Sequence, residues 1–317
     1  MLVSKTLKAW RENYYVSEVL AALTKPAHIA CRKLAAQLEQ KVKKNGVAIR
    51  LPNGRTMRIA RDSGVDLGSL VFWNGLDGFE PQTSRTLRFF FERAATFVDV
   101  GANYGFYSIL AGLWNNKLRV VAFEPVPQIY EALVRNMALN QLVDQVSPHP
   151  IALSNRTGTA TFYLPETGRK DCESTGTLVP DGWQARKHSP TIEVETTLFD
   201  DFEKTNSMRV DLVKIDVEDA EADVLTGMEQ TITRDRPFIV CEILERQHGN
   251  EKTRAVLEAL GYTPYWITSS GYIRVSRFDF PRTGSQDFLL SPVNLKGEVI
   301  SDLEPFWTAR HTGNFSL

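Results

Sequence analysis

From residue 96 onward the sequence alternates between short apolar runs and amphipathic segments, and this rhythm limits the fold more than any other feature. The apolar runs have the length and composition of β-strands, and the segments between them have helical spacing. The predicted strands cover residues 96–100, 118–123, 146–152, 210–216 and 237–243. The predicted helices cover residues 104–114, 126–140, 219–232 and 250–260. This alternation indicates an α/β fold with a doubly wound, mostly parallel sheet.

The chain is longer than a minimal domain. Two predicted strands, 210–215 and 238–241, are apolar almost throughout, as expected when helices cover both faces of a sheet. With 317 residues, one large domain with an appendage is the natural expectation. We place an N-terminal extension of helices and a β-hairpin at 1–70 and the α/β domain at 71–317. Residues 157–164 and 191–197 predict extra strands around a polar loop, 165–190, which is a candidate substrate loop.

The N-terminal extension is basic. Residues 1–50 contain ten Lys or Arg and three Glu, whereas the whole chain has a net charge of −1. Apolar residues at helical spacing predict two amphipathic helices before residue 46. The turn sequence Pro52-Asn53-Gly54 predicts a hairpin over 47–60. The helices are expected to cap the main domain, with peripheral contact to an anionic membrane or a homodimer contact as alternatives.

Composition excludes several classes of protein. The near-neutral net charge gives no reason to expect a nucleic-acid partner. The three cysteines, Cys31, Cys172 and Cys241, show no CxxC spacing, which argues against a zinc site or a disulfide framework. No stretch approaches the roughly 18 apolar residues that a membrane span requires. These observations predict a cytoplasmic protein.

Polar residues gather where the predicted strands end, and ligands of open α/β sheets bind at that edge. The set is rich in carboxylates. It consists of Asp99, Gly101, Asn103 and Gly105 after the first strand, Glu124 and Pro125 after the second, Ala152 to Ser154 after the third, Asp216, Glu218, Asp219 and Glu221 after the fourth, and Glu242 and Glu245 after the fifth.

The first of these loops does not match a phosphate-binding pattern. Dinucleotide and nucleotide loops read GxGxxG or GxxxxGK[ST], whereas this loop reads Gly101-Ala-Asn-Tyr-Gly105 and contains no lysine. A ligand with a cationic amine, a sulfonium and a ribose suits the acidic edge better. Glu124 can accept hydrogen bonds from both ribose hydroxyls, and the helix after Gly105 can receive a carboxylate at its N-terminus. S-adenosylmethionine has these features.

A series of motifs in one order resembles the FkbM family of S-adenosylmethionine-dependent methyltransferases. The motifs are FVDVGANYGFYS at 97–108, FEPVP at 123–127, NMALN at 136–140, IALS at 151–154 and VKIDVE at 213–218, followed by Glu221, Leu225 and Gly227. GFEP at 78–81 is similar to the family's lead-in, and QDFLL at 286–290 is a weaker match. The resemblance covers residues 75–245 and leaves 1–70 outside.

The resemblance implies a class I methyltransferase fold, with a seven-stranded sheet whose last strand is antiparallel, and O-methyl transfer to a sugar or polyketide-type hydroxyl. It implies a set of cofactor-binding residues: Asp99, Gly101, Asn103, Gly105, Glu124, Pro125 and Ala152. The chain departs from the family where Asp219 replaces a glycine, which puts the shape of that loop in question.

Transfer of a methyl group to a hydroxyl requires alignment of the two reactants and removal of a proton. Asp216 is the first candidate for the base or for orienting the acceptor, followed by Glu242 and Glu218; each could instead be a strand-end or helix-start acid. A carboxylate-rich edge can also hold Mg²⁺, but these acids do not define an octahedral set, so no metal ligand is assigned.

Two other functions compete with the methyltransferase. The first is an NAD(P)-dependent oxidoreductase of the same fold class, which the missing GxGxxG disfavours. The second is a non-catalytic interaction or membrane-surface protein that uses the basic N-terminal helices. The sequence does not identify the acceptor, beyond a small molecule or glycan.

Overall fold

The structure is a computed structural model that describes residues 46–60, 65–165, 176–180, 190–243, 249–275, 286–297 and 299–312. The two helices predicted before residue 46, and most of the 165–190 loop, lie outside these residues. The division at residue 70 therefore stays a prediction, as do the membrane and dimer contacts. Within the described residues, no helix is both long and apolar enough to span a membrane.

Fourteen strands and nine α-helices are present in the described parts of the chain. The strands are β1 (Val47–Arg50), β2 (Thr56–Ile59), β3 (Thr96–Val100), β4 (Arg119–Phe123), β5 (Val146–His149), β6 (Ala152–Leu153), β7 (Gly158–Tyr163), β8 (Thr191–Thr197), β9 (Leu212–Ile215), β10 (Phe238–Glu242), β11 (Thr263–Thr268), β12 (Gly271–Arg274), β13 (Asp287–Ser291) and β14 (Val299–Ile300). The helices are α1 (Val65–Asn74), α2 (Pro81–Phe91), α3 (Phe106–Trp114), α4 (Pro127–Leu139), α5 (Phe199–Asn206), α6 (Glu221–Gly227), α7 (Glu229–Asp235), α8 (Gly249–Leu260) and α9 (Glu304–His311). A 3₁₀ turn, Gly75–Gly78, links α1 to α2.

The central sheet has the order β14-β12-β11-β13-β10-β9-β3-β4-β5. Strands β5, β4, β3, β9 and β10 are parallel, and β13 inserts antiparallel between β10 and β11. The mostly parallel α/β fold and the antiparallel late strand are therefore confirmed. The sheet is two strands wider than the seven expected, because β12 and β14 extend it beyond β11.

Both faces of the sheet are buried, which explains the continuous apolar runs. Phe97, Leu212 and Phe238 belong to the hydrophobic core on one face, and their neighbours Val98 and Val213 belong to the core on the other. All five are fully buried. Each large apolar side chain buried in this way stabilises the fold by about 1.5–3 kcal/mol.

The predicted hairpin is confirmed, and it is tied to α4. Two buried asparagines, one in α4 and one directly after it, bind the backbone of β2 and its neighbour: Asn140 Oδ1 accepts from Arg58 N at 2.8 Å, and Asn136 Oδ1 accepts from Ala60 N at 2.7 Å. Asn136 Nδ2 also donates to the carbonyl of Tyr104 at 2.8 Å. The NMALN motif thus holds the hairpin and the glycine-containing loop after β3 in place.

The predicted strand 146–152 is wrong as a single element. It is divided into β5, which ends at His149, and β6, which pairs with β8 in a separate three-stranded sheet of order β6-β8-β7. Prolines at 148 and 150 lack the backbone N–H that a continuous ladder would use. The extra strands predicted at 157–164 and 191–197 are confirmed as β7 and β8.

One helix prediction also needs correction. The predicted helix 219–232 is two helices, α6 and α7, which are divided at Met228. Helix α2 begins at Pro81, with Glu80 in the cap position. Proline favours the first helical position because its missing N–H would have no helical partner.

Candidate active site

A cavity of about 280 Å³ opens at the carboxyl ends of the parallel strands. It lies at the edge of the sheet where the sequence placed the polar residues. The predicted residues that line it are Gly101, Asn103, Glu124, Pro125, Ala152, Asp216, Glu218 and Glu242. Asp99 and Gly105 are the two predicted site residues that do not line the cavity.

The loop after β3 forms the middle of the cavity wall. Gly101 has φ 76°, and a Cβ atom built there would lie 1.9 Å from the carbonyl oxygen of Asp216. A glycine is therefore required so that this loop can pack against the end of β9. Asn103 also has a left-handed backbone, with φ 54°. The loop is shaped by its contacts with the neighbouring strand as much as by any ligand.

Gly105 serves helix packing. It is the N-cap of α3 with φ 85°, and an added Cβ would lie 2.3 Å from Leu133 Cδ1 in α4. The missing side chain of Gly105 therefore makes room for α4, and a role in binding the cofactor stays a prediction.

Glu124 is a buried carboxylate at the end of β4. Its Oε2 accepts from Asn103 N at 3.0 Å and its Oε1 accepts from Val126 N at 2.9 Å. Burial raises the pKa of Glu124 to about 7, although both backbone hydrogen bonds act in the opposite direction. Each carboxylate oxygen keeps a second acceptor position, so Glu124 can still receive two hydroxyl donors.

Asp99 lies beneath the cavity. It precedes Gly101 by two residues, which is about 7 Å along a strand, and its Oδ2 accepts from Ser108 Oγ of α3 at 2.6 Å. Burial raises the pKa of Asp99, and Lys214 on the paired strand opposes that effect. Asp99 therefore stabilises the cavity wall through Ser108 and does not line the cavity itself.

Lys214 and Asp216 form a buried ion pair at the end of β9. Their Nζ and Oδ2 atoms are 2.7 Å apart, and the lysine side chain is 4% exposed. Burial alone would raise the pKa of Asp216, but the charge of Lys214 and a hydrogen bond with Glu242 hold it below its ordinary value. Burial would likewise lower the pKa of Lys214, and Asp216 reverses that effect. Asp216 is therefore ionised at neutral pH.

Glu242 is the protonated partner of Asp216. Burial, together with the charge of Asp216, raises the pKa of Glu242 to about 11. Asp216, Glu218 and Glu242 offer carboxylate oxygens that lie within 4.8 Å of one another, which is a spacing that a divalent cation could use. Such a cation would compete with Lys214, whose Nζ is 2.7 Å from Asp216 Oδ2.

The loop that carries Glu218 adopts the conformation that a family glycine would permit. Glu218 and Asp219 have φ of 53° and 81°, a region that costs an ordinary residue about 1–2 kcal/mol. Asp219 N donates to Glu221 Oε1 at 3.1 Å, and the carbonyl of Glu218 accepts from the hydroxyl of Thr177. These contacts retain the turn although the glycine is replaced.

Sequence reasoning missed Glu80, which lines the same cavity. It has φ 37° and precedes Pro81, an unusual combination because proline disfavours helical backbone in the residue before it. Tyr107 Oη donates to Glu80 Oε2 at 2.7 Å, and burial raises the pKa of Glu80 to about 7. The only signal in the sequence was the GFEP motif.

A second missed group forms an apolar wall of the cavity. Phe162, Leu164 and Leu178, on β7 and in the segments beside the small sheet, line it together with Ile129 of α4. These side chains belong to one hydrophobic cluster with Val126, two residues after Glu124. An aromatic base would fit an apolar wall of this kind.

Comparison with known proteins identifies the family of this chain. The model of the methyltransferase FkbM domain matches residues 99–264, just over half of the chain. The chain belongs to the FkbM methyltransferase family. The resemblance stated from the motifs is confirmed, and with it the fold class and the enzyme class, a methyltransferase.

The relatives of this FkbM chain include named proteins from fungi and bacteria. Methyltransferase sdnD of Sordaria araneosa is 29% identical over 191 residues, which cover 52% of this chain and 72% of that protein. 2-O-methyltransferase NoeI of Sinorhizobium fredii (strain NBRC 101917 / NGR234) is 28% identical over 174 residues, which cover 51% and 70%. The solved FkbM methyltransferase of Methylobacillus flagellatus KT aligns with a TM-score of 0.40 and 18% identity, over 62% of this chain and 43% of that one.

Glu221, next to the site, is expected to make stability fall as pH rises. Burial raises its pKa from 4.5 to about 8, so the folded chain keeps a proton that the unfolded chain releases above pH 4.5. Between pH 5 and 8 the unfolded state therefore binds fewer protons, and the free energy of unfolding decreases. Urea unfolding of Glu221→Gln should show a shallower decline across this range. The exposed Glu229→Gln is the matched control, and an unchanged slope in Glu221→Gln would contradict the assignment.

Proposed function

We propose that the chain transfers a methyl group from S-adenosylmethionine to a hydroxyl of a sugar, a glycan or another small polyhydroxylated product. The observation that carries this proposal is the distribution of carboxylates in one cavity, with Glu124 after β4, Asp216 after β9 and Glu242 at the end of β10. None of the described residues that line the cavity is Lys or Arg. Such a lining suits a cofactor with a ribose and cationic groups and no phosphate.

The cofactor would extend across the strand ends in the order of the sheet. Strand β3 lies between β4 and β9, so Gly101 lies between Glu124 on one side and Asp216 on the other. Glu124 would bind the ribose hydroxyls, and the apolar side chains near Phe162 would cover the adenine. The sulfonium would then lie between the Gly101 loop and the acidic end of the cavity.

Asp216 and Glu242 would act together on the acceptor. S-adenosylmethionine supplies an electrophilic methyl group, and the protein must align the hydroxyl and accept its proton. Asp216 is ionised but is held by Lys214 at 2.7 Å, which makes it a weak base and a well-fixed hydrogen-bond acceptor. We assign it to orienting the hydroxyl and receiving the proton late in the transfer. Glu242, which carries a proton at neutral pH, keeps the carboxylate of Asp216 in place.

One relative supports the finer assignment. The name of NoeI specifies a 2-O-methyltransferase, which favours oxygen as the acceptor atom. The name of sdnD specifies a methyltransferase and no acceptor. The choice of a polyhydroxylated acceptor rests on the family resemblance and on the carboxylates that can orient a hydroxyl.

Ligand-induced stabilisation should separate the proposed cofactor from NAD⁺. A ligand that binds only the folded state raises stability by RT ln(1 + [L]/Kd), which is about 2.7 kcal/mol at 100 times Kd. Thermal unfolding is measured with each ligand at about 1 mM. The Tm should be higher with S-adenosylmethionine and unchanged with NAD⁺. Stabilisation by NAD⁺ alone would contradict the proposal.

The acceptor is best found by transfer of a labelled methyl group. The full chain is incubated with methyl-labelled S-adenosylmethionine and fractionated cell extract, with and without EDTA. We expect the label in a small carbohydrate-like or polyketide-like fraction, where the methyl group forms an ether that is stable to base. Incorporation of label should be the same with and without EDTA. Label in protein would overturn the acceptor class, and loss of transfer in EDTA would reinstate a metal.

A further inference from the structure

We propose that Glu80 recognises the α-ammonium group of S-adenosylmethionine. This inference rests on the proposed function and deepens it, because it names the side chain that distinguishes the amino-acid end of the cofactor. Glu80 comes from the segment before α2, outside the parallel strands, and it lines the cavity beside Gly101 and Asp216.

The position of Glu80 along the cavity favours this end of the ligand. Glu124 follows β4, on one side of β3, whereas the groups that act on Glu80 electrostatically lie on the other side: Lys214 and Asp216 on β9, and Asp287 on β13. A cofactor whose ribose is at Glu124 and whose centre crosses Gly101 therefore directs its amino-acid end toward Glu80.

Glu80 is held in one orientation. Its Oε2 accepts from Tyr107 Oη at 2.7 Å, and its carbonyl accepts from Ser84 N at 2.8 Å at the start of α2. The preceding Phe79 packs edge-to-face on Phe106 with centroids 5.0 Å apart. A carboxylate fixed in this way binds a cation without first losing side-chain freedom.

One oxygen of Glu80 remains available. Within the described residues Oε2 takes the tyrosine hydroxyl, and Oε1 accepts no hydrogen bond. The carboxylates around it are occupied: Asp216 is paired with Lys214, and Asp287 Oδ2 accepts from Thr83 Oγ1 at 2.6 Å. Glu80 is therefore the acid at this end of the cavity best placed to compensate a new positive charge.

The charge balance agrees with this assignment. Burial raises the pKa of Glu80 to about 7, and Asp287 and Asp216 add to that effect, whereas Lys214 and the Tyr107 hydrogen bond oppose it. An ammonium group at Oε1 would favour the ionised form, as an opposite charge within hydrogen-bond distance does. A hydrogen bond to a charged group contributes about 1.5–3 kcal/mol, which corresponds to roughly 10- to 150-fold in affinity.

The test measures the coupling between Glu80 and the amino group. Calorimetric titration compares S-adenosylhomocysteine with its analogue in which hydrogen replaces the amino group, on the wild-type chain and on Glu80→Gln. We expect Glu80→Gln to weaken the binding of S-adenosylhomocysteine at least 10-fold and to change the affinity for the deamino analogue less than 3-fold. Glu92→Gln, at the exposed far end of the same helix, should change neither.

Each outcome decides between assignments. Equal weakening of both ligands by Glu80→Gln, or no weakening of either, would overturn the role of Glu80. If Glu80→Gln fails to fold, Glu80→Asp, which keeps the charge on a shorter stem, should weaken S-adenosylhomocysteine more than the deamino analogue, and equal effects would overturn the proposal. Absence of binding to the wild-type chain would refute the cofactor proposal itself, which is a distinguishable result.

Discussion

Replacement of Gly101 by alanine is expected to abolish cofactor binding. The new Cβ would lie 1.9 Å from the carbonyl oxygen of Asp216, and this neighbour is backbone that cannot rotate away. The loop after β3 and the end of β9 must separate, which displaces two walls of the cavity at once. Misplacement by about 1 Å is enough to cost about 100-fold in activity, so we expect at least that loss of methyl transfer, together with no detectable heat of S-adenosylmethionine binding by calorimetry.

The chain provides a matched control for the backbone contribution. Gly54, in the turn of the hairpin, has φ 83° and nothing within 4 Å of an added Cβ. Gly54→Ala should therefore incur only the left-handed backbone cost, about 1–2 kcal/mol in the free energy of unfolding, and retain cofactor binding. Gly101→Ala should exceed this loss by a further 1–3 kcal/mol or so from overpacking. Retained binding in Gly101→Ala would mean that the loop is not packed as described.

Replacement of Lys214 by methionine is expected to destabilise the fold and the site together. The lysine is 4% exposed, and it compensates Asp216 at 2.7 Å as well as the nearby Asp99 and Glu80. Removal of one partner of a fully buried ion pair costs about 3–5 kcal/mol, and we expect a loss near the lower end of this range because the Asp216 side chain is 27% exposed. Urea unfolding at pH 7 should show a loss of this size, and the pKa of Asp216 should rise once Lys214 is removed.

A surface ion pair is the control for this variant. Lys204 and Asp201 in α5 are 3.0 Å apart, but their side chains are more than half exposed. Lys204→Met should change the free energy of unfolding by less than about 1 kcal/mol. Equal effects of the two substitutions would show that the Lys214 pair is not buried in the folded protein.

The sheet could be predicted because its strands are buried on both faces. Strand β3 has the predicted bounds, Thr96–Val100. Phe97 and Val98 belong to the hydrophobic cores on opposite faces of the sheet, so no residue of this apolar run could face water. The prediction failed at 146–152, where prolines interrupt the ladder and the chain moves to a second sheet. Periodicity records burial and does not record which sheet a strand joins.

The site could be predicted where it follows directly from a strand end. Glu124 and Asp216 were found because each is the acid after an apolar run. Glu80 was not found, because its position depends on the packing of α2 against α3 and on a contact with Tyr107, 27 residues away. Lys214 was not predicted as a site residue, because its role depends on the register that places it beside Asp99.

We expect the cavity around Glu124 to bind S-adenosylmethionine, and a calorimetric titration of the full chain measures this binding. The wild-type chain should bind S-adenosylmethionine at a single site. Glu124→Gln should bind S-adenosylmethionine at least about 100-fold more weakly, because an amide places a donor against a backbone N–H and removes a charged acceptor from the ribose. The exposed Glu131→Gln on α4 should bind as the wild type does. Unchanged affinity in Glu124→Gln, or no binding to the wild-type chain, would contradict the account.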